Sequence, residues 1–116
     1  MLVTRFEDLE IWKLGRIIVK NVYSDFDSLS DFGFKGQITR AGISIMNTIS
    51  EGFSRESKRE FHQFLNIAKG STGEVKNMYY IAEDQNYISS EIAIQRREDC
   101  EKVKNMIAKF MKHLKQ

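Results

Sequence analysis

The chain contains no proline, one cysteine, one tryptophan and two histidines in 116 residues. Without proline, the strong helix breakers reduce to seven glycines, among them the pairs Gly33/Gly36 and Gly70/Gly73. A lone Cys100 cannot close an internal disulfide and suits a reducing compartment. His62 and His113 both lack a glutamate three residues earlier, so the Glu-x-x-His pairs of a di-metal bundle are missing. Neither a metal nor a cofactor is expected. No apolar run approaches the length that spans a bilayer, and Met1-Leu2-Val3-Thr4-Arg5 does not read as a signal peptide. The expectation is a cytoplasmic protein with no membrane partner.

Signals for catalysis are equally sparse. No Gly-x-Ser-x-Gly elbow occurs. Lys69-Gly70-Ser71-Thr72-Gly73 has phosphate-loop residue types without the Walker spacing, and it lies inside a helical pattern. An enzyme is not expected. Sustained two-residue alternation is absent too, which argues against strands.

What remains is helical. Hydrophobic residues make up 41% and charged residues 29%, the balance of an ordinary globular chain, and the length fits a single domain over 1–116. Thr4-Arg5-Phe6-Glu7 fits a capping box and opens a helix over about Phe6–Ser24. Asp25 to Gly36 is the first connection. A second helix is predicted over about Phe34–Glu51, with Gly52 as a left-handed cap. Ser57-Lys58-Arg59-Glu60 is another capping box, opening a third helix that reaches about Gln85. Asn86-Tyr87 breaks it, and Ser89 or Ser90 caps the fourth helix. Apolar residues recur at helical spacing in each, so the fold class is all-α, an antiparallel up-and-down four-helix bundle.

Net charge is only +2, but its distribution is uneven. Asp25, Asp27 and Asp31 make the first connection acidic. After Glu101 the chain carries Lys102, Lys104, Lys109, Lys112, His113 and Lys115 with no acid. Such a basic end also suits a helix macrodipole. Arg55, Lys58 and Arg59, with Phe53 nearby, form a basic-aromatic cluster at the start of the third helix, where cations oppose the dipole. Arg40, Glu51 and Glu74 stand beside small residues of helices 2 and 3 and read as interhelical ion pairs or as ligand contacts. Gly70 and Gly73 imply close packing of helix 3, against helix 2 or against another subunit. Trp12, Tyr79, Tyr80, Met106 and Met111 widen the apolar arcs beyond what a small bundle needs, which points to an oligomer.

The middle of the chain resembles a known family. Gln37-Ile38-x-Arg40-Ala41, Ser44-Ile45, Ile49-x-Glu51-Gly52-Phe53-x-Arg55 and Glu60-Phe61-x-x-Phe64-Leu65-x-Ile67-Ala68-x-Gly70-Ser71-x-x-Glu74 are similar to the bacterial four-helix-bundle proteins encoded within intervening sequences of 23S ribosomal RNA genes. The opening Phe6-x-Asp8-Leu9-x-Ile11-Trp12 fits as well. Met46, Thr48 and Ser50 stand where the family commonly has proline, asparagine and alanine, and the proline that usually follows helix 1 is missing. A related group, the accessory proteins of diversity-generating retroelements, forms ring-like homopentamers whose basic surface engages nucleic acid and a reverse transcriptase. The resemblance thus implies a homo-oligomer, with five subunits as the first expectation, that binds RNA or DNA. Only Arg40 and Arg55 carry over by motif. The composition adds Lys58, Arg59, Lys104, Lys109, Lys112 and Lys115 as candidate nucleic-acid contacts. A module whose partner is another protein, with no nucleic-acid role, is the alternative.

Overall fold

A computed structural model describes residues 2–114. Among them are four α-helices and one short 3-10 turn, with no strand: the turn Phe6–Asp8, then α1 Glu10–Asp25, α2 Phe32–Phe53, α3 Lys58–Asp84 and α4 Ser90–Leu114. Each helix packs on its sequence neighbours and α4 returns to α1, giving an antiparallel bundle of 44 × 22 × 20 Å. Ile38, Ile45, Ile49, Leu65, Val75 and Ile107 fill its centre with no solvent exposure.

The start differs from the sequence expectation. Thr4 caps nothing, because α1 begins six residues later behind the extended, buried Leu9. Phe6 packs edge-on against Trp12 with ring centroids 5.4 Å apart, so apolar anchoring replaces a polar cap there. α2 begins two residues earlier than predicted, since Asp31 accepts a hydrogen bond from the Phe34 N–H at 3.1 Å. Ser57 caps α3 as expected, accepting from the Glu60 N–H at 3.1 Å. Asn86 ends it in the left-handed region with φ 60°, and Ser89 caps α4 through the Ile92 N–H.

Gly52 is a correction with a clear cause. It lies inside α2 rather than in a left-handed cap. A Cβ there would sit 2.7 Å from Phe64 Cβ and 2.9 Å from Phe61, so glycine lets α3 press onto α2. At Gly15 a Cβ would lie 3.1 Å from Ile45 Cγ2, a milder crowding where α1 approaches α2. Gly70 and Gly73 meet no such crowding. Neither would bring a Cβ within 4 Å of any neighbour, although each costs about 1 kcal/mol of helix propensity relative to alanine.

The expected apolar excess also shifts. Tyr79 and Met111 are buried in the core and unavailable to a partner. Tyr80 remains half-exposed, and Ile17, Tyr23, Phe32, Ile67, Ile81 and Ile94 join it at the surface.

Candidate nucleic-acid interface

The antiparallel path sorts the charges by height along the bundle. Ser71 and Ser44 share a hydrogen bond at 2.9 Å and mark its middle. The half formed by residues 2–17, 44–70 and 103–114 holds ten lysines and arginines against six acids. Residues 18–43 and 71–102 hold seven against ten. A small net charge therefore hides one basic half and one acidic half.

Within the basic half the start of α3 lies against the end of α4, with Phe61 and Phe110 rings 5.7 Å apart. This contact brings Lys58 and Arg59 to the end of the bundle that holds Lys112, whereas Lys109 lines the groove between α4 and the start of the chain with Asp8 and Glu10. All four cations are exposed and make no ion pair among the described residues. Lys115 lies outside the described residues.

One side of α3 continues the basic surface. Lys58, His62, Lys69 and Lys76 recur at helical spacing, and Lys76 marks where that side points, because its Nζ reaches Glu101 Oε1 of α4 at 2.8 Å. Lys104 meets the same carboxylate at 3.3 Å, and Lys112 lies eight residues further along that side. The seam between α3 and α4 thus carries a row of cations, two of which share Glu101, with Glu98 lining the same recess. The two lysines hold Glu101 below the ordinary carboxylate range, and the Glu101 hydrogen bond raises Lys76. Lys69 escapes sequence inspection because it sits in the glycine-rich stretch. Its spacing from His62 and Lys76, seven residues each way, is the signal that finds it.

Two expected contacts are not part of this surface. Arg55 is committed inside the chain: it pairs with Glu51 at 3.4 Å and Glu60 at 4.0 Å, and its guanidinium lies 4.8 Å from the Phe64 ring centroid. That pairing answers the macrodipole objection, since two carboxylates offset the cation beside the α3 N-terminus. Arg40 sits in the acidic half on α2, its guanidinium folded over Gly36. The interhelical set Arg40–Glu51–Glu74 does not form. Arg40 and Glu74 are exposed without an ion pair among the described residues, and Glu51 turns to Arg55 on its own helix.

The acidic half is built from bonds rather than left open. Asp25 takes a two-point contact from Arg96, at 2.7 and 3.0 Å, and a third from the Tyr79 hydroxyl at 2.7 Å. Asp31 accepts from the Tyr87 hydroxyl at 2.6 Å besides capping α2. Arg97 pairs with Glu83 at 2.8 Å while stacking 3.9 Å from the Tyr80 centroid. Cys100 is buried, and desolvation pushes its thiol up to about 12, which removes it as a nucleophile. Among the described residues no group of three or more His, Cys, Asp or Glu is placed to hold a metal ion, and no helix is long and apolar enough to cross a membrane.

Comparison with known proteins agrees with the bundle. A crystal structure from Bacteroides thetaiotaomicron, described as a protein with unknown function from the S23 ribosomal protein family, superposes with a TM-score of 0.81 at 21% identity, covering 88% of this chain and 98% of that one. Its likeness concerns the fold. No curated protein matches. The profile of the 23S rRNA-intervening sequence protein family matches residues 7–109, nearly all of the bundle, and the chain belongs to that family.

Proposed function

We propose that this protein is a non-enzymatic accessory protein that binds RNA through the basic half of its bundle and works as a symmetric homo-oligomer, with a pentamer as the stoichiometry to test first. The observation that carries the reading is the line of cations along the seam between α3 and α4: Lys58, Lys69, Lys104 and Lys112 in the basic half, and Lys76 just past its border sharing the Glu101 carboxylate with Lys104. Arg59 extends it on the outer surface of α3. Clustered cations contact phosphates whatever the sequence, so contact with the backbone is the expected mode. Exposed aromatic rings beside these cations are few, so stacking contributes little. One subunit offers only a handful of phosphate contacts. Copies repeated around a ring raise the avidity without any new contact. The unpaired, buried thiol fits a cytoplasmic setting.

The acidic half supports a second reading, a protein-interaction module with no nucleic-acid role. Binding of a structured RNA and a duplex DNA at low salt separates the two. The RNA reading expects micromolar binding that falls at least tenfold when Lys58, Arg59, Lys69 and Lys112 are changed to glutamine. Absence of binding at low salt, or equal binding by the variant, transfers the assignment to the protein-partner reading.

A further inference from the structure

The side of α1 turned away from the core is a second basic surface, and no contact within the chain accounts for it. Lys13, Arg16 and Lys20 recur there at helical spacing, all three exposed and without an ion pair among the described residues. No acid stands between Glu10 and Asp25 on α1, and none between Asp31 and Glu51 on α2, the helix beside it. Asp99 of α4 lies on the other flank of α1, next to Ile18 and Asn21. Aromatic rings run beside these cations. Trp12 and Tyr23 are eleven residues apart, three helical turns, so they share one side of α1 at a separation of about 16 Å. The Arg16 guanidinium lies over the Trp12 ring, 5.7 Å from its centroid. Tyr23 is 52% exposed, and its ring meets no other ring or cation among the described residues.

From this arrangement we infer that the outer face of α1 is a second RNA surface, one that takes an unpaired strand. The inference rests on the RNA reading above and adds the form of RNA that is held. Cations interleaved with rings suit a strand whose bases have open faces: Lys13, Arg16 and Lys20 take phosphates, while Tyr23 and the edge of Trp12 take bases. A duplex hides those faces and can use the cations alone. An acidic protein segment would satisfy the three cations equally well, and the row of rings is what favours bases over it. The seam is a row of lysines and contacts backbone in any form. Because α1 lies diagonally across the bundle from α3, the two surfaces face different ways. One subunit then holds an unpaired segment on α1 and a second stretch of backbone on the seam.

The test is binding of a short unstructured RNA carrying a fluorescent adenine analogue, and of the same strand as a duplex, at low salt. Wild type should bind the single strand and quench the analogue. Lys13→Gln/Arg16→Gln/Lys20→Gln should weaken the single strand at least tenfold, leave the duplex within twofold, and flatten the single-strand salt slope by about 2 units. Tyr23→Leu should keep that slope and remove most of the quenching, which a purely electrostatic surface would not show. These side chains are exposed, so helical circular dichroism should be kept; if the triple variant loses it, the Tyr23→Leu quenching decides. A triple variant that binds the single strand as wild type does overturns the inference and leaves the seam standing, as does wild type that binds duplex alone. Single-strand binding that needs the three cations but never quenches the analogue overturns the stacking role and assigns the face to an acidic protein partner. Wild type that binds neither RNA overturns this inference and the RNA reading together.

Discussion

The Tyr79 hydroxyl donates to Asp25 Oδ2 at 2.7 Å, joining residues 54 positions apart and tying α3 to the end of α1. Arg96 of α4 grips the same carboxylate at two points, so three of the four helices meet on one side chain that is 6% exposed. Burial and this hydrogen bond raise Tyr79 well above the ordinary phenol range.

Changing Asp25 to alanine strands a partly buried guanidinium and a buried phenol together. Removing one partner of such a pair costs about 3 kcal/mol. Urea unfolding followed by circular dichroism should show the midpoint falling accordingly. Tyr79→Phe removes only a hydroxyl and should cost about 1 kcal/mol. Equal losses from both substitutions would mean that the Arg96 contact contributes little.

Gly52→Ala should destabilise the protein by about 1–3 kcal/mol despite alanine's better helix propensity, because its Cβ collides with Phe64 Cβ, which the backbone of α3 holds in place. Thermal melts of Gly52→Ala beside wild type check this. A raised melting temperature contradicts the close approach.

Stability should fall in acid. Asp31 is lowered first by the Tyr87 hydrogen bond, Glu83 by Ser90 and Arg97, and Glu101 by Lys76 and Lys104. A carboxylate held below its unfolded value contributes stability above the unfolded pKa, and that contribution is lost as pH falls through the folded one. The decline should begin below about pH 4.5 and steepen towards pH 3. The Glu101→Gln variant should show a shallower decline. Identical curves would show that this carboxylate is not held down by its lysines.

Cys100 should resist thiol reagents at neutral pH in the native protein, since a thiol raised to about 12 is almost wholly protonated and its residue is 1% exposed. Labelling with a coloured disulfide reagent, native and in denaturant, reads this directly. Rapid native labelling would place the residue outside the core.

Much of the bundle was legible in the sequence because apolar spacing and the serine caps are local signals. Ser57 and Asn86 fixed the ends of α3 through chemistry within a few residues. Gly52 misled because its reason, the pressure of Phe61 and Phe64, comes from the next helix. Thr4 misled because the burial of Leu9, not a hydroxyl, sets where α1 begins. Of the basic residues, Lys58, Arg59 and Lys112 could be named singly, but only the Phe61–Phe110 contact brings them to one end, and it leaves Lys109 on the other side of α4. Arg55 could not be recognised as paired, since its partners depend on how the chain turns between α2 and α3.

The central claim is that the α3–α4 seam binds a phosphate backbone, and the slope of log affinity against log salt tests it most directly. Each phosphate engaged contributes about −0.7 to −0.9 to that slope. Wild type should bind structured RNA with a slope of several such steps, and changing Lys58, Arg59, Lys69 and Lys112 to glutamine should flatten it by roughly 3 units. A slope near zero for wild type, or one that the four substitutions leave unchanged, would contradict the account.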